Sequence, residues 1–502
     1  MRALESLRSI VALTLLAACA ADDSPIPAVD GSLSLQVRYP TAEPVWVTDS
    51  ISVWGTVGTG QARLTIDGRS VRVERNGAFA TFVPIAPRDP PTLQLKASRG
   101  DSVIRLALPI TRARSTLRQS GEPRPAAGWV RLVRPPSDTA DAVTQARPIY
   151  GRWTPGGALA LPLPQGIRLP VDAETPDALR LRLARDIAVW VARTDAQRAS
   201  PRPIPPTLGG PRLTQTDTSS TVVLSLAEPL VMTAEVVRTR LRWTVFGARP
   251  ADRVPIRSGL GLVRDIAVRD AGDGRVFVEV ALAAAPLGWR TSWRDGMAVL
   301  EIRRMPSAST GLESMVVALD AGHPPGGAIG PTGLAEDSLN LAVALEAAER
   351  LRALGATAVL TRPDTAPVSL DARLAIAETA GAHLFVSVHA NSPGDGRPPS
   401  SVDGTRVFWL RPFAQHLAKA LEDSVAVALR QVKAGSIQSD LAVLRPTWFP
   451  AVLVEGTAIV LPEREAYLRS QAGVDAYAAG LVGGIRAWAQ TPRLDGSFPA
   501  TH

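Results

Sequence analysis

The sequence predicts a multidomain chain: a C-terminal α/β domain, with a mixed, mostly parallel sheet flanked by helices, preceded by all-β modules. Three observations predict it. At 502 residues the chain is too long for one ordinary core. From Ser32 to Arg304 apolar residues alternate with period two, and Asp67-Gly68, Asn76-Gly77 and Asp295-Gly296 punctuate the runs as hairpin turns would. From Met315 the rhythm changes to short apolar runs alternating with helical spacing, the signature of α/β layers.

The composition narrows the function classes. Hydrophobic residues make up 45% and charged residues 20%, which excludes wholesale disorder. The net charge is +8, yet the basic residues are nearly all arginine and no basic run interleaves with aromatics. Nucleic acid is therefore not an expected partner. The single cysteine, Cys19, excludes an internal disulfide and any paired-cysteine metal site. Residues 1–19 read as a signal peptide: Arg2 and Arg8 precede an apolar run, Ile10 to Ala18, too short to span a bilayer. Leu16-Ala17-Ala18-Cys19 resembles the lipobox of bacterial lipoproteins. That resemblance implies an acylated Cys19 anchoring the chain to a membrane. Ala20, where aspartate would signal inner-membrane retention, implies the periplasmic face of the outer membrane. Without the anchor the expectation is a periplasmic or secreted protein.

Residues 20–31 read as a tether. Residues 32–111 predict an immunoglobulin-like β-sandwich, with Leu33, Leu35 and Val37 and then Ile51 and Val53 alternating. An Arg/Ser/Pro-rich linker, 112–128, leads to a small β-barrel-like module at 129–195, whose clearest strand is Ile187 to Val191. A proline-dense stretch, 200–219, precedes a third β domain at 221–304, where Val276, Val278, Val280 and Leu282 alternate. The three show no internal repeat. Pro306 to Ser314 reads as a joint before the α/β domain at 315–490.

In that domain Val316 to Leu319 predicts a buried parallel strand, followed by a loop too rich in glycine and proline to be strand or helix. His323 ends the strand and Glu336 opens the next helix. His389 ends a second apolar strand, and Glu455 ends another. Open α/β sheets place their chemistry at the carboxyl ends of strands. His323, Glu336 and His389 would make a two-histidine, one-carboxylate zinc site with its fourth position left for water. Glu455 would take that water's proton and return it to a leaving group. Plainer roles fit the other histidines: His383 starts a strand, His416 lies on a helix surface and His502 is at the tail. Trp448 is a candidate for lining the cleft. No G-x-S-x-G, HExxH or phosphate-loop motif occurs.

LDAGHPPGGAIGPTGLAEDSLNLAVAL, VLTRPD, SLDARLAIA, LFVSVHAN, LAVLRPTWFPAVLVEG and LPEREAYL together resemble, in order, the zinc-dependent N-acetylmuramoyl-L-alanine amidases. The resemblance spans Met315 to about Trp488 and leaves out the β-rich half. At lower specificity, the second module is akin to bacterial wall-binding barrels, and the third resembles the β domain preceding some amidase catalytic domains. The family implies His323, Glu336 and His389 as ligands of one Zn²⁺, Glu455 as the catalytic carboxylate and peptidoglycan as substrate. The reaction implied is hydrolysis of the amide between N-acetylmuramic acid and L-alanine of the stem peptide. Arg373 and Arg445 could then meet a stem-peptide carboxylate, with structural ion pairing the preferred reading of both. Two departures touch the substrate pocket: Pro324-Pro325 separate His323 from Gly326-Gly327, and after Glu455 the usual aromatic and asparagine give way to Gly456-Thr457-Ala458-Ile459-Val460. Some members carry an inhibitory helix after the second histidine; only Ser392 to Gly404 stands there, implying an open site. A zinc peptidase cutting within the stem, and a non-catalytic wall-binding lipoprotein, are the alternative readings. The sequence names no protein activator.

Overall fold

The computed structural model describes residues 26–87, 90–113, 121–134, 149–202, 204–237, 240–251, 256–258, 261–306 and 311–491. The signal peptide with Cys19, and His502, lie outside the described residues. Among the described residues no helix is long and apolar enough to cross a membrane.

The first module pairs a three-stranded antiparallel sheet (Gln36–Tyr39, Ser50–Thr56, Ala78–Pro84) with a four-stranded one (Arg63–Ile66, Arg69–Val71, Thr92–Arg99, Ser102–Pro109). Alternation turns Ile51 and Val53 of one sheet, and Leu64, Leu93 and Leu95 of the other, into a shared core. Asp67 and Gly68 both take positive φ (47° and 77°) and close a two-residue hairpin, as Asp295 and Gly296 do in the third module. Asn76-Gly77 instead leads from a loop into the strand Ala78–Pro84.

The second module is one seven-stranded sheet that reaches past its expected limits. It begins with Arg124–Leu132, inside the predicted linker, and ends with Ala196–Ala199, which pairs with that same strand. Its two edge strands, Leu159–Leu163 and Ala196–Ala199, are not paired with one another among the described residues. The third module packs a four-stranded and a five-stranded sheet on a core that includes Trp243, Val278 and Leu300. Its strand Arg212–Gln215 lies in the proline-dense stretch.

The C-terminal domain is the predicted α/β layer. Its elements are β1 (Val316–Ala321), α1 (Glu336–Ala353), β2 (Thr357–Leu360), α2 (Leu370–Thr379), β3 (Leu384–Asn391), β4 (Thr405–Trp409), α3 (Gln415–Ala428), β5 (Lys433–Gln438), β6 (Ala451–Ala458), α4 (Pro462–Leu468) and α5 (Gln471–Gln490). The sheet order is β2-β1-β3-β6-β4-β5. All neighbours are parallel except β4 and β6. Consequently β1, β3 and β6 end side by side and carry His323, His389 and Glu455 to one edge. Helix α1 buries Leu339, Val343, Ala344, Ala347, Ala348 and Leu351 against the sheet. Leu345 stays exposed on this helix, because alanines fill the packed face.

The modules are not beads on a string. Trp54 of the first module and Leu287 of the third belong to the core of the α/β domain, and Tyr39 stacks on Trp54 at 4.3 Å. Burying an indole of about 200 Å² contributes about 5 kcal/mol before entropy is counted. At the opposite end of the sheet, Trp448 lies under the guanidinium groups of Arg290 and Arg303, 4.1 and 5.0 Å from its ring. That corrects its expected place: Trp448 precedes β6, so it sits at the sheet's far end and glues the third module instead of lining the cleft.

Candidate metal and catalytic centre

The chain is bent into the site by a buried ionic post. Asp320, 1% exposed at the end of β1, accepts from Arg373 Nη1 at 2.8 Å, from Thr361 Oγ1 at 2.5 Å and from Ser387 Oγ at 2.6 Å. Arg373 also donates to the carbonyls of Ala321, His323 and Pro324. Arg362 adds bonds to the carbonyls of Ala321 and Gly322. These donors hold His323 at a φ of 59°, a conformation uncommon for a non-glycine residue. Arg373 is therefore structural, since removing one partner of a buried pair costs 3–5 kcal/mol as a typical range. Arg445 pairs with Asp440 at 2.8 Å and lies over the Tyr150 ring, so it too is engaged.

Gly322 follows the post. A Cβ there would run into the His389 ring, so glycine lets β1 and the second histidine approach. Donor atoms of His323, Glu336 and His389 lie within 4.8 Å of one another, a group able to hold a metal ion. His323 Nδ1 lies 3.2 Å from the carbonyl of Pro325, which leaves Nε2 to face Glu336 Oε2 at 3.4 Å. A backbone carbonyl on one ring nitrogen, freeing the other, is the usual support of a ligating histidine. His389 Nδ1 is 3.0 Å from Glu336 Oε1. The backbone amides of Ala328 and Ala390 donate to the same carboxylate, at 2.8 and 3.2 Å. Burial alone would raise the Glu336 pKa, but the two histidines hold the carboxyl well below its ordinary range. The hydrogen bond with Glu336 in turn raises the pKa of His323. Two imidazoles and a buried, ionised carboxylate converging in this way fit a divalent cation with a ligand position left open.

Glu455 stands next to this group, opposite His389 in the β3–β6 register, but not within it. Its Oε2 is sealed from solvent and has no hydrogen-bond partner among the described residues. Burial pushes its pKa up to about 7, with Glu336 adding to the rise while His389, His323 and Arg406 oppose it. A carboxyl poised there can both accept and return a proton.

Sequence reasoning missed Tyr477 and Arg406. The Tyr477 hydroxyl lies 2.8 Å from the His389 carbonyl and 3.0 Å from that of Val454, tying the two strand ends together. Gly456 is its visible trace, because a Cβ there would strike the Tyr477 ring. The two other histidines among the described residues stay outside: His383 Nδ1 accepts from the Val316 amide, burial lowers its pKa to about 4, and His416 is exposed.

The two loops flanking the centre are gripped by the first module. Asp395, after β3, accepts from Tyr39 Oη at 2.6 Å and from the Trp46 amide at 2.8 Å. Trp54 Nε1 donates to the carbonyl of Ile329, in the loop before Glu336, at 2.9 Å. Among the described residues, 392–404 contain one short 3-10 turn, Pro399–Val402, and no longer helix.

Residues 317–487 match the family model described as N-acetylmuramoyl-L-alanine amidase. The uncharacterised protein YqiI of Bacillus subtilis is 31% identical over 33% of this chain and 81% of its own length. The probable cell wall amidase LytH of Staphylococcus epidermidis is 27% identical over 41% of this chain and 68% of its own. Among solved structures, the catalytic domain of CwlV, an N-acetylmuramoyl-L-alanine amidase from Bacillus (Paenibacillus) polymyxa var. colistinus, is 32% identical. It covers 35% of this chain and 97% of that one, with a TM-score of 0.33.

Proposed function

The chain belongs to the N-acetylmuramoyl-L-alanine amidase family and is a peptidoglycan amidase, and from that premise we propose how it acts. The bond cut is the amide between the lactyl group of N-acetylmuramic acid and L-alanine of the stem peptide. His323, Glu336 and His389 would hold one zinc ion. Zinc in that position would acidify a water to near neutrality and polarise the scissile carbonyl. Glu455 removes the water's proton, and the same carboxyl then delivers it to the leaving amine of L-alanine. Tyr477 keeps the Glu455 and His389 strand ends in register while this happens. The observation that carries the reading is the pair of carboxylates: Glu336 saturated by donors, Glu455 beside it with a sealed, unpartnered oxygen.

Purified protein incubated with peptidoglycan should release stem peptides with a free L-alanine amine and leave glycan strands uncut. Chelation should stop this and zinc should restore it. Products cut inside the stem would instead make the protein a zinc peptidase, and no cleavage at all would make it a wall-binding scaffold.

The family places the protein in the cell envelope. Its finer address, the periplasmic face of the outer membrane by acylation of Cys19, rests on the lipobox-like run alone. Cys19→Ser should move the protein from the membrane to the soluble envelope fraction; a variant still in the membrane would end that reading. The amino-terminal modules, assigned as an immunoglobulin-like sandwich, a barrel-like module and a third β domain, would join the anchor to the enzyme.

A further inference from the structure

The neighbour of Glu455 across the sheet is an arginine with unused donors. Arg406 stands directly opposite Glu455 in the antiparallel β4–β6 pair. Side chains so paired leave the same face, with Cβ atoms about 5 Å apart. Thr405, one residue earlier, faces the other way, its hydroxyl on the Gly456 carbonyl. Arg406 is half-buried, and its Nε donates to the Ala434 carbonyl at 3.3 Å, so the guanidinium leans towards β5. No carboxylate among the described residues pairs with it. Arg350, Arg352, Arg373, Arg445, Arg464 and Arg469 of the same domain each have one, while Arg362 and Arg411 spend their terminal donors on backbone carbonyls.

We propose that Arg406 binds the stem-peptide carboxylate nearest the scissile amide, and so favours stems in which that group is free over stems in which it is amidated. The inference rests on the amidase reading and adds the direction in which the peptide lies. If Glu455 returns the proton to the leaving nitrogen, the released peptide starts against Glu455. The second stem residue is a glutamate linked through its side chain, which leaves an α-carboxylate about one residue, roughly 4–7 Å, from that nitrogen. An arginine one strand further out meets an anion at that spacing. Its planar fork suits a carboxylate and gains nothing comparable from a neutral amide.

The test compares the zinc-loaded full chain with Arg406→Gln and Arg406→Lys on two muropeptides, identical except that this carboxylate is free in one and amidated in the other. The parent should prefer the free acid by about tenfold or more in kcat/KM, through KM. Arg406→Gln should collapse the ratio to near one, and Arg406→Lys should keep part of it. Inhibition of the parent by L-alanyl-D-glutamate with its γ-carboxyl capped as an amide, compared between the free α-acid and the α-amide, reads the same preference without any variant, and should favour the acid by a similar factor. A parent that cleaves both substrates equally, or an Arg406→Gln protein with normal zinc content that keeps the preference, overturns the proposal. A parent that cleaves neither overturns the amidase reading, and this proposal with it.

Discussion

Glu336, buried, and Glu455, half-buried with one sealed oxygen, stand at one end of one sheet, yet their surroundings suit them to opposite tasks. Glu336 receives two backbone amides and faces two imidazoles, so it is ionised and fixed. Glu455 has an oxygen with no hydrogen-bond partner among the described residues, and burial lifts its pKa to about 7. Environments that push two neighbouring acids apart in pKa separate a permanently charged role from a proton-carrying one. The difference lies in the backbone. Glu336 opens a helix, where free amides gather, whereas Glu455 lies within a strand whose amides are spent on the sheet.

Breaking the charged partner should have the largest effect. Glu336→Gln should leave the purified protein without bound zinc and reduce stem-peptide release to background. A variant that retained zinc at the parent's level would reverse the two roles. Breaking the proton carrier should be milder: Glu455→Gln should keep zinc and fold while losing about 10²–10⁴ in rate. Full activity, or loss of metal, would contradict the assignment.

The pH profile sharpens the contrast further. A base with a raised pKa is active when deprotonated, so kcat/KM should fall as pH drops through the pKa of Glu455. That pKa is about 7 without metal and lower once a cation sits beside it. The residual activity of Glu455→Gln should lack this limb. An identical acid limb in parent and variant would assign it to the histidines instead. Smallest of all should be Tyr39→Phe, which removes one hydrogen bond from Asp395, far from either carboxylate in sequence. It should cost about 1 kcal/mol in thermal unfolding of the zinc-loaded chain and leave the two acids' order of effects unchanged.

The group that could hold a metal and the general-base candidate were legible because strand ends are legible. Apolar runs such as Val316 to Leu319 stop abruptly, and a histidine after such a run has no packing reason to be there. The short strand β5, Lys433–Gln438, was not legible: a glycine and a serine interrupt it and only the neighbouring β4 holds it in the sheet. Arg406 was invisible for a related reason. Its meaning comes from standing opposite Glu455, a relation of register between segments some fifty residues apart, and the sequence shows no spacing that would encode it. Trp448 misled because a loop before the catalytic strand looks close to the site, while a strand's two ends are a whole sheet apart.

Trp54 also alters what a fragment of this protein would be. Its indole completes the core of a domain that begins more than 250 residues later. A piece starting near Leu312 would present the vacated seat of Trp54 and Tyr39 to water, beside the loop that leads into Glu336. Such a surface invites self-association, and the loops would lose the donors that hold Ile329 and Asp395. Heat should therefore melt the first module and the α/β domain in one transition, however far apart the chain has written them.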